Sequence, residues 1–324
     1  MLENKIFEIS NEQEFKTLAL EVFKYQFENN SIYSKFCSLL NRNPENVNSL
    51  DEIPYLPIEF FKSEKLITGT DESQITFSSS GTTGSITSKH YVTDLRLYEK
   101  SFLKAFELFY DSPEEYTFLA LLPSYLERTG SSLIYMVDSL INLSKDKNSG
   151  FYLDNLDELS NMLEKLDKNG KKVFLIGVSF ALLDLVEKKQ FKLKNTIVME
   201  TGGMKGRRKE MIREELHANL REGFGIKQIH SEYGMTELLS QAYSKGYGVF
   251  DCPPWMKILI RDPEDALSFL PNGKTGGINV IDLANINSCS FIATQDLGKQ
   301  KYDQVEILGR FDNSDVRGCN LLLL

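Results

Sequence analysis

KKVFLIGVSFALLDLVEKKQFKLKNTIVMETGG, residues 171–203, reads as strand, helix, strand. VFLIGV is an unbroken apolar run of strand length, FALLDLVEKK is helical, and NTIVME is again short and apolar. Strands apolar on both faces need cover on both faces, which is the pattern of a parallel sheet flanked by helices. The alternation continues outward. TFLALL (117–122) predicts a strand and SSLIYMVDSLIN (131–142) a helix; downstream, RRKEMIREELHANLR (207–221) predicts a helix and IKQIH (226–230) a strand. A helix is expected from Asp94 to Phe109, with Tyr98, Phe102, Ala105 and Phe109 on its buried stripe.

Towards the N-terminus, residues 11–28 predict a helix capped by Asn11 with Glu14 three residues on, and its apolar face carries Phe15, Leu18, Val22 and Tyr25. A second helix is expected over 33–40. DEIPYLPIEFFK (51–62) reads as an extended segment packed by Phe60 and Phe61, because Pro54 and Pro57 forbid a continuous helix. From Met256 the pattern changes: MKILIR, GGINVIDL, SCSFIAT and DQVEILG are strands separated by Gly, Pro and Asn turns. The fold class is therefore α/β. The expected organisation is an α/β region over 1–255 and a β-rich region over 256–324, together one structural unit.

The 324 residues carry a formal net charge of −9 and a pI of about 5.1. An acidic surface argues against nucleic acid as the main partner. The four cysteines, Cys37, Cys252, Cys289 and Cys319, are scattered without CxxC spacing, which fits reduced thiols in a cytoplasmic protein. The N-terminus has no apolar core of a signal peptide, and no apolar run approaches the roughly 18 residues of a membrane span.

Four polar clusters follow predicted strands, where parallel sheets place their ligands. They are FSSSGTTGS (77–85), TGGMKGRR (201–208), SEYGMTE (231–237) and TQDLG (294–298). The first is either a flexible loop or a phosphate cradle, since glycines and short hydroxyl residues let backbone N–H groups approach an anion. Gly202 and Gly203 offer a side-chain-free ledge for a flat base, and Tyr233 a ring to stack on it. Thr236 offers a hydroxyl to phosphate, and Glu237 a hard oxygen ligand for Mg²⁺ beside it. Asp296 suits two ribose hydroxyls. Together these parts suit a nucleoside triphosphate or its adenylate.

FSSSGTTGS, TGG, YGMTE, TQD and LGRFDN stand in the order and spacing of the adenylate-forming enzymes, the acyl-CoA synthetase superfamily, and the chain resembles them over nearly its whole length. PYLPIEFFK, LPSYLERTGSSLIYM and LGRFDNSDVRGCNLLL make it most similar to the LuxE-type acyl-protein synthetases, and next to phenylacetate-CoA ligases. The resemblance implies the large N-terminal domain of those enzymes, without their mobile C-terminal domain. It implies ATP and Mg²⁺ as cofactors. Ser79, Ser80, Thr82, Thr83 and Gly84 would bind the ATP phosphates, Gly202 and Gly203 the adenine, and Tyr233 would stack on it. Thr236 would contact phosphate, Glu237 would hold Mg²⁺, and Asp296 and Arg310 would hold the ribose, with Asp312 at the hinge position.

The C-terminal domain of the superfamily supplies a lysine at the α-phosphate, and this chain ends at Leu324 without a counterpart. Lys89, Arg128, Lys205 and Arg207 are candidate replacements. Cys319, in VRGCNLLLL, is either a packed residue of an apolar tail or a nucleophile, since an acyl-adenylate is a mixed anhydride open to a thiolate. The resemblance to the LuxE type implies the nucleophile. Nearby Arg317 would lower its pKa. By position, LPSYLERTGSSL and IGVSFALL are expected to border the acyl pocket; His230, just before SEYG, either lines it or is a core or turn histidine.

The function implied is ATP-dependent activation of a carboxylic, fatty acid to acyl-AMP, followed by transfer to a cysteine of the chain itself or of a partner, an acyl-accepting reductase or carrier protein. The alternatives are an acyl- or aryl-CoA ligase and a non-catalytic nucleotide-binding subunit.

Overall fold

A computed structural model describes residues 2–79, 86–123, 130–153, 155–202, 208–209 and 211–311. The chain divides into two units. One runs from Glu72 to Pro253; the other joins the residues up to Asp71 with those from Pro254 onward.

In the Glu72–Pro253 unit the sheet has the order Gly150–Phe151, Thr117–Leu121, Val173–Val178, Thr196–Thr201, His230–Tyr233, Ala242–Ser244. Every neighbouring pair is parallel except the last. Thr117–Leu121 and Val173–Val178 are buried along their whole lengths, as continuous apolar runs require. Helices Leu95–Tyr110, Ser132–Ser144, Leu156–Lys168, Ser179–Lys188 and Arg213–Phe224 belong to the same unit.

Four local expectations for this unit are corrected. The β-prone run before FSSSGTTGS, QITF (74–77), does not join the parallel sheet as the placing of that cluster at a sheet strand's end implies: Ile75–Ser78 pairs antiparallel with Lys89–Val92 as a separate hairpin. On Leu95–Tyr110 the buried stripe runs through Tyr98, Phe102, Ala105 and Phe106, and Phe109 is only half-buried. The helix expected from 207 begins at Arg213, since the backbone at Ile212 is still extended; Arg208 lies before it and donates to Asp184 Oδ1 at 3.0 Å and Glu187 Oε1 at 2.6 Å on the preceding helix. The strand expected at 226–230 begins at His230. The N–H groups of Gly225 and Ile226 both return to the Arg221 carbonyl, so the chain is still closing a helix there.

In the other unit, antiparallel strands lie in the order Gln304–Arg310, Phe291–Lys301, Thr275–Asp282, Met256–Arg261. The short strand Leu56–Pro57 adds parallel to Phe291–Lys301. It is followed by a helical turn, Phe60–Ser63, in which Phe61 is buried and Phe60 half-buried, so residues 51–62 are not one extended segment. Asn11 caps the helix Glu12–Asn29 by accepting from the Glu14 N–H, and Ser31–Leu39 follows.

The expected boundary at 255/256 falls beside the one at Pro253/Pro254, but the N-terminal residues group with the β-rich part rather than with the parallel sheet. Buried side chains explain this. The Gln26 amide donates to the carbonyls of Asn285 and Ile286 and accepts from Ser290 N–H, while Asn30 donates to the Ser288 carbonyl. Those bonds, with Thr68 to the Ser288 carbonyl, make SCS a turn, so the strand expected at 288–294 starts at Phe291. Cys37 and Cys289 are buried, and burial pushes both thiols up to about 12. No helix among the described residues is long and apolar enough to cross a membrane.

Candidate active site

The hydroxyl-rich loop connects the two strands of the hairpin. Ser79 N–H donates to the Ser88 carbonyl at 3.1 Å, and Ser88 N–H donates to Ser79 Oγ at 2.9 Å, closing the mouth of the loop. Ser79 accepts in that bond, so its own O–H is not consumed by it. Ser78 N–H anchors the hairpin on the Gly130 carbonyl at 2.7 Å. Ser80, Thr82, Thr83 and Gly84 lie outside the described residues, as do Arg128, Lys205 and Arg207; Lys89 is exposed on the returning strand.

The strand Thr196–Thr201 runs into Gly202, whose φ of +69° is in the left-handed region that glycine adopts without strain. Gly203 lies outside the described residues. Ser179 Oγ stands 3.1 Å from Glu200 Oε2 and 3.3 Å from the Gly202 carbonyl, tying the strand end to the neighbouring helix. Burial raises the Glu200 pKa, but His217, Arg213 and Ser231 outweigh it and hold the carboxyl below its ordinary value. Ser231, His217 and Glu200 do not make a nucleophilic triad. Ser231 Oγ at 3.4 Å and Glu200 Oε1 at 3.5 Å both approach the same imidazole nitrogen, Nε2, so no proton can pass across the ring.

One strand further, Thr201 Oγ1 donates to Glu232 Oε2 at 2.5 Å. The other carboxyl oxygen lies over Gly234, where any Cβ would collide with it. Burial pushes Glu232 up to about 7, against the Thr201 bond and with help from the Glu200 charge. His230, on the same strand, meets the Tyr110 hydroxyl through Nδ1 at 3.1 Å. Burial, with Lys245, lowers its pKa to about 4, so it is neutral near pH 7.

Tyr233 ends this strand and stands edge-on to Phe250, with ring centres 6.2 Å apart. SEY is thus strand rather than the loop after it. Next comes a tight turn in which Leu238 N–H donates to the Met235 carbonyl at 3.1 Å. Thr236 and Glu237 are its two central residues, and Glu237 is buried. His90 Nδ1 lies 2.8 Å from the Thr236 carbonyl. A carbonyl only accepts, so Nδ1 carries the proton. Beyond the turn, Ser240 Oγ meets Ser101 Oγ at 3.0 Å, both buried.

In the β-rich unit, TQD does not end a strand. Phe291–Lys301 continues through it, with a register shift between Leu297 and Gly298. Asp296 is paired in register with Arg310, whose Nε lies 3.4 Å from Oδ1, and its N–H donates to Thr294 Oγ1 at 3.1 Å. Asp296 is buried, whereas the Arg310 side chain is exposed. Asp312 and Cys319 lie outside the described residues.

The sequence reading missed His90, Ser179, Glu200, Thr201 and Glu232. One signal was present: an acid inside the otherwise apolar strand TIVMET marks Glu200 as a residue needing buried partners.

The likeness to known proteins agrees with this architecture. The solved structure of ATP-bound MatB from Rhodopseudomonas palustris superposes with a TM-score of 0.55 at 19% identity, over 72% of this chain and 47% of MatB. This chain therefore spans about half of that protein. A 2-hydroxyisobutyryl-CoA ligase solved with 2-HIB-AMP and CoA gives a TM-score of 0.68 at 13% identity, over 94% of this chain and 72% of the ligase. At these identities the likeness establishes the fold, that of the adenylate-forming ligases.

Two curated relatives carry the name long-chain-fatty-acid–luciferin-component ligase. The one from Vibrio harveyi is 26% identical over 324 residues, covering 92% of this chain and 84% of the relative. The one from Aliivibrio fischeri is 26% identical over 336 residues, covering 94% and 86%. The family model described as acyl-protein synthetase, LuxE, matches residues 1–324, and the chain belongs to that family.

Proposed function

We propose that the chain activates a long-chain fatty acid with ATP and passes the acyl group to a thiol. The family description and the names of the two relatives support the reaction and the substrate class. In the first step a carboxylate oxygen of the acid attacks the α-phosphorus of ATP. A carboxylate–phosphorus bond forms, the bond to the β-phosphate oxygen breaks, and pyrophosphate leaves. In the second step a thiolate attacks the acyl carbon of the mixed anhydride, giving a thioester and releasing AMP. Cys319 is the proposed thiol, and an acyl-accepting reductase or carrier protein the proposed destination of the acyl group.

The observation that carries this reading is the turn at Thr236 and Glu237, bonded through His90 to the hairpin that bears the hydroxyl-rich loop. Ser79 and the loop residues would donate to the ATP phosphates. The Thr236 hydroxyl would contact phosphate, and the Glu237 carboxylate would hold Mg²⁺. No group of three or more His, Cys, Asp or Glu able to hold a metal exists among the described residues. Mg²⁺ keeps several waters and is commonly held by one or two carboxylates together with substrate phosphates, so one protein carboxylate would suffice. When bound, the ion would neutralise charge on the phosphates. Gly202 would lie under the adenine with Tyr233 against it, and Asp296 with Arg310 would take the ribose hydroxyls.

The test is pyrophosphate exchange into ATP with a series of fatty acids, followed by intact-mass spectrometry of the protein. Exchange that depends on the acid, with an acyl adduct released by neutral hydroxylamine, is the expected result. Cys319→Ser should retain exchange and lose the adduct, because adenylation requires no thiol. Absence of exchange with every acid overturns the reading. Acyl transfer to CoA alone, without an adduct, turns it into a CoA ligase.

A further inference from the structure

The contact between His90 and Thr236 reaches one particular bond. Thr236 and Glu237 occupy the centre of the Met235-to-Leu238 turn, so the Thr236 carbonyl belongs to the peptide joining them. That peptide is the adjustable part of a tight turn: rotating it over converts one turn type into another and re-aims both flanking side chains. His90 holds its oxygen from a strand 146 residues earlier.

The imidazole has little freedom of its own. His90 is buried at 1% exposure and sits opposite Phe77 in the hairpin register. The Phe77 ring packs at 5.3 Å against Tyr98 and at 5.9 Å against Tyr135. The hairpin is thus fixed by an aromatic cluster, and the turn is fixed to the hairpin.

We propose that His90 is a positioning residue: by fixing the central peptide of the turn to the hairpin, it aims Glu237 and Thr236 at the metal–nucleotide. This rests on the nucleotide reading given above. It makes a specific demand on position 90, which is a donor at the place of Nδ1. Asparagine supplies one, since its Nδ2 occupies nearly the same position. Glutamine places its donor one bond further out, and phenylalanine fills the space without a donor.

The experiment is calorimetric binding of ATP, with and without Mg²⁺, to wild type, His90→Asn, His90→Gln and His90→Phe, beside their thermal unfolding. For Phe and Gln the Mg²⁺-dependent gain in affinity should shrink about tenfold, the scale of one orienting hydrogen bond, while metal-free ATP binding, which loses only the Thr236 contact, should weaken less. Asn should stay within about threefold of wild type on the same scale. If His90→Phe does not fold, the contrast between Asn and Gln decides alone. Equal Mg²⁺-dependent gains in all variants overturn the proposal, as does equal weakening with and without Mg²⁺ that asparagine fails to rescue. Wild type that binds no Mg²⁺–ATP removes the nucleotide reading and this proposal with it; normal wild-type binding beside unchanged variants removes this proposal alone.

Discussion

Glu237 and Asp296 are both buried carboxylates, at 6% and 8% exposure, and the two units hold them by different means. Glu237 sits in a turn whose backbone is bonded by a distant imidazole and whose far side is anchored by a pair of buried serines. Its neighbouring strand ends are tied in the same way, Gly202 through Ser179 and Glu232 through Thr201. Asp296 is placed by strand register, opposite Arg310 and beside a register shift. A turn has few backbone bonds of its own and needs side chains from elsewhere to define it. A paired strand brings its geometry with it, so Asp296 depends on its ladder and few side chains.

The largest effect should come from the turn. Glu237→Gln keeps the size of the side chain and removes its charge. Acid-dependent pyrophosphate exchange should fall roughly a hundred- to a thousandfold, the scale for losing one electrostatic group of a reacting site. The fold should persist, because the bonds that fix the turn run through the Thr236 carbonyl and Ser240 and not through the Glu237 carboxylate alone. Exchange at the wild-type rate would take Glu237 out of the site and dissolve the comparison.

Asp296→Ala should give a smaller, purely binding effect. A carboxylate that accepts ribose hydroxyls makes charge-assisted bonds of about 1.5–3 kcal/mol, or roughly ten- to a hundredfold in the dissociation constant for AMP. Stability should hardly change. The Arg310 side chain is 81% exposed, and a pair with one partner in solvent contributes little. Calorimetric titration with AMP checks the first expectation, and denaturant unfolding the second. A large stability loss without a change in affinity would mean that strand register, rather than ligand binding, is what Asp296 serves.

The same contrast governs what the sequence disclosed. The parallel sheet was legible in runs such as VFLIGV because apolar continuity and helical period are local properties. The grouping of the N-terminal helices with the β-rich part was not, because it depends on Gln26 reaching carbonyls some 260 residues away. TQD looked like a strand end, since a polar triplet commonly is one; only its pairing with Arg310 shows that the strand continues. Within the site, glycines, hydroxyls and the YGMTE run announced themselves by residue type. His90 did not, because its partner is a backbone carbonyl and no side-chain pattern encodes that.

The smallest effect on the nucleotide chemistry should come from Glu232, whose change is read in stability instead, and it tests whether the side-chain network around the turn has a cost. The Glu232 carboxyl is pushed up to about 7 by burial, and Glu200 adds like-charge repulsion. Tyr98, Tyr110 and Tyr243, which also feel the Glu232 charge, are buried rings. An unfolded glutamate ionises at its ordinary value of 4.5. Between that value and about 7 the folded protein therefore holds more protons than the unfolded chain, so stability falls as pH rises through this window and levels off above it. Gln at 232 has no proton to lose, and its amide oxygen can still accept from Thr201. Glu232→Gln should resemble wild type near pH 5 and melt a few degrees higher by pH 8, the scale expected of a modest free-energy change in a chain of this size. Melting curves of both proteins across that range are the measurement. Parallel pH profiles would mean that Glu232 is solvated enough to ionise normally, and that the side-chain network holds the turn without the cost assigned to it.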